Sequence, residues 1–218
     1  GDKKSAFGGV VLFNKKINEK LSNIISRYFF EIIVAPKFQS SAIDVLKNNK
    51  KLIIINSAKL KENKENITFR SVKNGVLYQE ENLLKITKSK INLVSKKKSS
   101  LKTIDDLVFA FKVAKHVKSN AIVLVKNKQT LGIGAGQMSR IDATKLAIMK
   151  YKYLFKNKEF VCASDAFFPF TDGIKLLLKN NCKALIQPKG SINDEKVVKF
   201  AKDNNFSLYF VNNRVFKH

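Results

Sequence analysis

Apolar positions in this chain alternate between short runs suited to buried strands and the three-to-four spacing of amphipathic helices. In the first half, 10–13 reads as a strand and 17–28 as an amphipathic helix. A strand over 31–35 is closed by Pro36, and it leads to a helix over 41–47 and a buried strand over 52–55. From 56 to 100 the pattern turns polar and irregular, with strand character only at 75–78 and 91–94. The second half is more regular. Leu107, Val108, Phe111, Ala114 and Val117 place one buried stripe along a helix over 101–118. Strands over 121–125 and 130–134 flank a polar turn and read as a hairpin. Ser139 then caps a helix to about Tyr153, followed by strand 160–163, helix 172–179, strand 184–187, helix 194–203 and strand 208–211. The succession predicts an α/β fold of mixed-sheet layers, divided into two tandem units over 1–100 and 101–218.

Two segments stand out chemically. Gly132, Gly134 and Gly136 recur at alternate positions before Ser139 and Arg140, a backbone suited to close approach by an anion beside a helix start. Close packing of the hairpin on the following helix accounts for the same glycines. The spacing is not the dinucleotide-binding fingerprint, since a hairpin precedes it and no acidic residue closes a strand about 20 positions on. No Gly-rich stretch here ends in the Lys-Ser/Thr pair of a phosphate-binding loop. The second segment is Phe167-Phe168-Pro169-Phe170, bracketed by Asp165 and Asp172. Its three rings cannot all face one interior, so at least one must line a cleft or an interface. Either acid could cap the helix near 172, and either could meet a ligand's amino or ring nitrogen groups.

Charge changes the picture less than its size suggests. The net charge of +25 invites a nucleic-acid partner, yet 38 of the 42 basic residues are Lys. The four arginines are Arg27, Arg70, Arg140 and Arg214, few for a surface that reads bases with bidentate forks, so no nucleic-acid partner is expected and a basic RNA-binding module is the disfavoured reading. A positive field still draws small anions. No apolar run approaches the ~20 residues of a membrane-spanning helix, so a cytoplasmic chain without a membrane partner is expected. Cys162 and Cys182 sit in apolar contexts without metal-ligand spacing and are expected to be reduced packing residues. His116 and His218 assemble no Ser/His/Asp or Cys/His set, and no metal site is predicted from side chains alone.

Several motifs in fixed order carry a family resemblance. They are Ser5-Ala6-Phe7-Gly8-Gly9, Ile24-Ile25-Ser26-Arg27, Ile33-Val34-Ala35-Pro36 and Ser119-Asn120-Ala121-Ile122. The glycine segment ending in Ser139-Arg140, the Ser164-to-Phe170 corner, Gln187-Pro188-Lys189-Gly190-Ser191 and Arg214-Val215-Phe216-Lys217-His218 follow. Together they resemble the C-terminal part of aminoimidazole carboxamide ribonucleotide (AICAR) transformylase, a domain that in bacteria follows an IMP cyclohydrolase domain in one bifunctional protein. The resemblance implies two cytidine deaminase-like subdomains without the deaminase zinc. It also implies formyl transfer from 10-formyltetrahydrofolate to the 5-amino group of AICAR during purine synthesis.

Carried over residue by residue, the resemblance implies that Gly8, Glu31, Asn120, Arg140 and Arg214 contact AICAR, with Asn120 closest to the chemistry. Ile141, Phe167, Asp172, Ser191 and Ile192 would hold the folate. In some members K+ sits near the position of Asp165 and the C-terminus, and homodimers with active sites at the subunit boundary are the family's habit. Glu31 stands where some members have Asp, Thr171 where many have Arg, and Lys189 where small residues are common. The family's catalytic Lys-His pair belongs to a Lys-His-Gly-Asn-Pro-Cys motif that these residues do not contain; Lys115-His116 continues as Val117-Lys118 and does not inherit the role. The chain alone is therefore expected to turn over little, and an upstream transformylase half is the expected partner for chemistry.

Overall fold

The computed structural model describes residues 7–60, 67–80, 85–155 and 158–217. Contacts divide the chain into two compact units, Gly1–Glu81 and Asn82–His218. The division falls earlier than the expected one near residue 100, because 85–100 is tied to the second unit. Leu208 N donates to Ser95 Oγ at 2.9 Å and Ser207 Oγ donates to the Lys97 carbonyl at 3.0 Å. Such side chain to backbone bonds are invisible to hydropathy. His218 and the residues before Phe7, which carry part of the sequence resemblance, lie outside the described residues.

The first unit contains a three-stranded parallel sheet of β1 (Gly9–Leu12), β2 (Phe30–Ala35) and β3 (Ile53–Asn56), in that order. Helices α1 (Glu19–Ile25) and α2 (Ser40–Lys47) make the crossovers. Ile17, Ile25, Ile33, Ala35, Ala42 and Leu46 are buried together, so the core lies between one sheet face and the two helices. The first helix is shorter than its apolar spacing predicts. Asn18 stops it by accepting from Leu21 N at 2.9 Å, which leaves Ile17 outside the helix in a bridge to Phe38. A separate hairpin of β4 (Ile67–Val72) and β5 (Gly75–Glu80) was only half foreseen: strand character was legible at Gly75 to Tyr78 and not in β4. Every residue of both strands is exposed, so no one-sided burial pattern marks them.

The second unit is a three-layer sandwich. Its six-stranded sheet runs β6 (Asn92–Leu93), β11 (Ser207–Val211), β10 (Cys182–Pro188), β9 (Phe160–Ser164), β7 (Ile122–Lys126) and β8 (Gln129–Gly134). Strands β9, β10 and β11 are parallel, while β6, β7 and β8 pair antiparallel. Alternate residues face opposite layers. Val123, Val125, Val161, Ala163, Ala184 and Ile186 pack with α3 (Leu101–Ala114). Ile122, Leu124, Cys162, Leu185 and Leu208 pack with α4 (Arg140–Leu154), α5 (Asp172–Lys179) and α6 (Asp194–Asp203). Burial of each Leu, Ile or Phe side chain there contributes about 1.5–3 kcal/mol. Both cysteine thiols are buried in this core, and desolvation pushes their pKa values up. Among the described residues no helix is long and apolar enough to cross a membrane.

Two glycines set the spacing of β8 and α4. A Cβ on Gly132 would overlap the Ala147 carbonyl, and one on Gly134 would overlap the Ala143 carbonyl. Gly136 has φ +65° and its N–H donates to the Lys118 carbonyl at 2.7 Å. The glycine run thus serves close packing and turning.

The β7–β8 hairpin turn carries positive φ at Asn127 (52°) and Lys128 (55°), the type I′ geometry that matches strand twist. Asp106, 6% exposed on α3, accepts from Asn127 N at 2.8 Å and Lys128 N at 2.7 Å. One carboxylate therefore pins the turn to the helix beneath it. Asp106→Ala is expected to destabilise the second unit by about 1–3 kcal/mol, because two amides lose a charged acceptor. Urea unfolding followed by circular dichroism measures it; an unchanged midpoint would refute this role for Asp106.

Candidate functional site

The parallel strands of the second unit end together, and the loops leaving their carboxyl ends form the region where open α/β sheets bind ligands. β9 runs into Asp165 and the aromatic corner, β10 into Lys189-Gly190-Ser191, and β11 into the segment holding Arg214. Because β7 is antiparallel to β9, the register Ile122↔Ser164 brings Asn120 to the same edge. The pairing Ile122↔Gly134 brings the end of β8 there too, and Ser139 starts α4 by accepting from Asp142 N at 3.1 Å.

Arg140, the first residue of that helix, is the hub. Its Nη1 donates to Asp165 Oδ1 at 2.5 Å and to Ser164 Oγ at 2.7 Å, while Nη2 donates to Asn120 Oδ1 at 2.8 Å. The Asp165 side chain is 0% exposed and that of Arg140 is 9% exposed. Ser119 Oγ donates to Asp165 Oδ2 at 2.5 Å, and the Asp165 carbonyl accepts from Val215 N at 3.0 Å. The Asn120 amide is held from its other end, donating to the carbonyls of Gln137 at 2.8 Å and Met138 at 3.2 Å. Asn120 thus has a fixed orientation. The Asp165 carboxylate is met by Arg140 and Ser119.

Arg214 differs from Arg140. Its guanidinium carbon lies 4.7 Å from the centroid of the Phe167 ring, a stacked cation–π contact on an exposed side chain. Among the described residues no carboxylate forms an ion pair with it. Gly190 lies beside it: a Cβ there would sit in ordinary contact with Arg214 Nη2, 3.7 Å away, so it is the positive φ of +112° that asks for glycine. As the crowding of three rings requires, Phe168 is buried, Phe167 half-buried and Phe170 exposed. Asn193 ties the β10 loop to this corner by donating from Nδ2 to the Pro169 carbonyl at 3.0 Å.

Eight of the ten site residues expected from the resemblance fall in the second unit. Asn120 and Arg140 touch directly, Ile141 follows Arg140 half-buried, and Phe167 carries Arg214. The two groups are joined through Asp165, whose carbonyl bonds the residue after Arg214. Ser191 Oγ accepts from Asn193 N at 3.1 Å on the same loop as Ile192, which is fully exposed. Asp172 is exposed on the first turn of α5, where Oδ1 accepts from Gly173 N at 2.7 Å. Thr171 before it makes no side-chain cap bond, and Lys189 is exposed. His116, left without a catalytic role by its sequence context, is exposed. In the first unit Gly8 (φ +71°) and Glu31 are neighbours, since a Cβ on Gly8 would lie 3.0 Å from Glu31 Oε1. The Arg140–Asp165 pair was not foreseen: its members are separated by 25 positions, and only the acid next to the aromatic corner hinted at a polar role.

A family model described as the AICARFT/IMPCHase bienzyme matches residues 1–150. The chain belongs to that family. Relatives named bifunctional purine biosynthesis protein PurH match its whole length: one from Buchnera aphidicola subsp. Schizaphis graminum is 41% identical over 220 residues, one from Caldicellulosiruptor bescii 40% over 217, and one from Fusobacterium nucleatum 42% over 217. The chain spans 42% of the length of each of these relatives. Gly8, Glu31, Asn120, Arg140 and Ile141 lie inside the family match. The aromatic corner and Arg214 lie beyond residue 150, where similarity to the PurH relatives continues.

Removing one member of a buried ion pair strands the other charge, at a cost of about 3–5 kcal/mol. Arg140→Met and Asp165→Asn are each expected to destabilise the second unit, and the double variant by clearly less than the sum. Urea denaturation of all four proteins gives the coupling; additive losses would show that the pair is not energetically linked.

Proposed function

We propose that this chain supplies the AICAR- and folate-binding part of an AICAR transformylase. In the reaction, the 5-amino nitrogen of AICAR bonds to the formyl carbon, the bond from that carbon to N10 of the folate breaks, the amine loses a proton and N10 gains one. The products are the formamido nucleotide and tetrahydrofolate. The observation that carries this reading is the gathering of Asn120, Arg140, Phe167 and Arg214 at one sheet edge, linked through Asp165.

The geometry supports distinct roles for the two arginines. Arg140 is already charge-compensated by Asp165, so it serves chiefly to aim the Asn120 carboxamide, with any contact to AICAR made by the rest of its guanidinium. Arg214 presents a planar cation suited to phosphate, braced by the face of Phe167. Phe167 beside Arg214, together with Ser191 and Ile192 on the loop that follows Gly190, offers the ring, hydroxyl and aliphatic groups that a pterin and its tail would meet. The AICAR amine is a weak nucleophile because its lone pair is delocalised into the ring and carboxamide. A positioned general base contributes about 10²–10⁴ in rate, and the resemblance assigns that role to a motif these residues do not contain.

Calorimetric titration of the intact chain with AICAR, then with a folate analogue, tests the reading. Wild type should bind both; Arg214→Met should weaken AICAR by at least about tenfold through loss of a charge-assisted contact, with its melting temperature unchanged. Absence of AICAR binding by the wild type would refute the proposal, and an unaffected Arg214→Met variant would refute the role of Arg214. Formyl transfer that appears only when the remainder of a PurH relative is added would place the general base in that part.

A further inference from the structure

Asn18, Ser100 and Ser139 precede α1, α3 and α4, and each side chain accepts a hydrogen bond from the amide three residues on. Such a cap satisfies one of the amides that a helix start leaves free. Asn193 holds the same position before α6, yet its side chain makes no cap bond. Its backbone, at φ −96° and ψ 10°, lies outside the extended region that aims a cap back at the helix. The carboxamide is directed elsewhere: Nδ2 donates to the Pro169 carbonyl at 3.0 Å, 24 positions away. That bond joins two segments. On one side is the corner after β9, with Phe167 half-buried and Phe168 buried. On the other is the turn 190–194, which is closed within itself. Asn193 N donates to Ser191 Oγ at 3.1 Å, Asp194 N to the Ser191 carbonyl at 3.0 Å, and Gly190 N to Asp194 Oδ2 at 2.7 Å. Ile192 in this turn is fully exposed, so packing does not place it. Phe168 N donates to Gln187 Oε1 at 3.3 Å, which fixes the corner to the end of β10 but not to the turn beyond it.

From these observations we infer that Asn193 is a positioning residue for the cosubstrate side of the site. Its carboxamide holds the Ser191–Ile192 turn against the Phe167–Pro169 corner, so that a flat pterin ring meets walls whose spacing is already set. The inference rests on the folate reading given above and adds the residue that fixes the two folate segments relative to each other. Without the bond, the turn has to be ordered when the ligand arrives, and that ordering lowers the affinity. The arginine side is insulated from this change. Gly190, the neighbour of Arg214, is held by the Asp194 carboxylate and not by Asn193, and Arg214 itself is braced by Phe167. Loss of the Asn193 donor is therefore felt by the cosubstrate and not by AICAR, whereas a residue that merely supported the fold would affect both.

The test is calorimetric titration of the intact chain with 5-formyltetrahydrofolate and, separately, with AICAR. Asn193→Ala removes the donor without adding charge, and Asn193→Asp keeps the shape while turning an acceptor toward the Pro169 carbonyl. Both variants should bind the formyl folate about three- to tenfold more weakly than wild type, the range that one neutral hydrogen bond supports, with AICAR affinity unchanged. NMR order parameters of the Ser191 and Ile192 amides in ligand-free Asn193→Ala should fall below those of wild type, a readout that needs no ligand. Wild-type binding of the formyl folate with affinity or order parameters unaltered in Asn193→Ala overturns the role of Asn193 alone. Parallel weakening of both ligands would reduce it to structural support and also overturn it, and weakening by Asn193→Asp only would assign the loss to charge repulsion. Absence of formyl folate binding by the wild type would refute the folate reading, and this role with it.

Discussion

A carboxylate buried to 0% exposure is tolerable only if its charge is met within hydrogen-bond reach, and Asp165 meets this condition through Arg140 and Ser119. The consequence spreads through the second unit. Arg140 opens α4, Ser119 precedes β7, Asp165 ends β9, and the Asp165 carbonyl accepts from Val215 beyond β11. Four segments distant in sequence are held at one sheet edge by one acid. The Ser119 hydroxyl, accepting from Lys217 N at 3.2 Å, adds the last described residues to the same knot.

That pair could not form if α4 stood at an ordinary distance from the sheet. Gly132 and Gly134 have no side chains to hold it off, and the carbonyls of Ala147 and Ala143 occupy the space a Cβ would need. Close backbone approach at the hairpin therefore sets where the first turn of α4 lies, and with it the guanidinium of Arg140. Gly173 does the same for α5, where a Cβ would overlap the Phe168 ring. The site's polar geometry follows from glycine packing on both flanks of the aromatic corner.

Much of this architecture was legible along the chain because buried strands and one-sided helices leave periodic signals. β7, β9, β10 and β11 and the helices between them follow such signals within a few residues. β4 left none, since its apolar residues Ile67, Phe69 and Val72 never adjoin as Val76-Leu77-Tyr78 do in the equally exposed β5, and the tie of Ser95 and Lys97 to β11 spans more than a hundred positions. At the site, the identities of Arg140, Arg214, Phe167 and Asn120 could be singled out from motifs, but not how they divide the work. Which arginine is neutralised depends on a contact across 25 residues, and no local pattern encodes that.

The scarcity of arginine sharpens this division. A chain with 38 lysines spreads positive charge over its surface, where solvent screens it and small anions are drawn in without being oriented. Orientation needs planar, multidentate groups, and two of the four arginines stand at the strand ends of the second unit. One is fixed by an acid and in turn fixes an amide; the other is braced by an aromatic face and keeps its donors toward the outside. A site built this way separates holding from recognition, so that the group meeting an anionic ligand does not also have to keep the fold's buried acid satisfied.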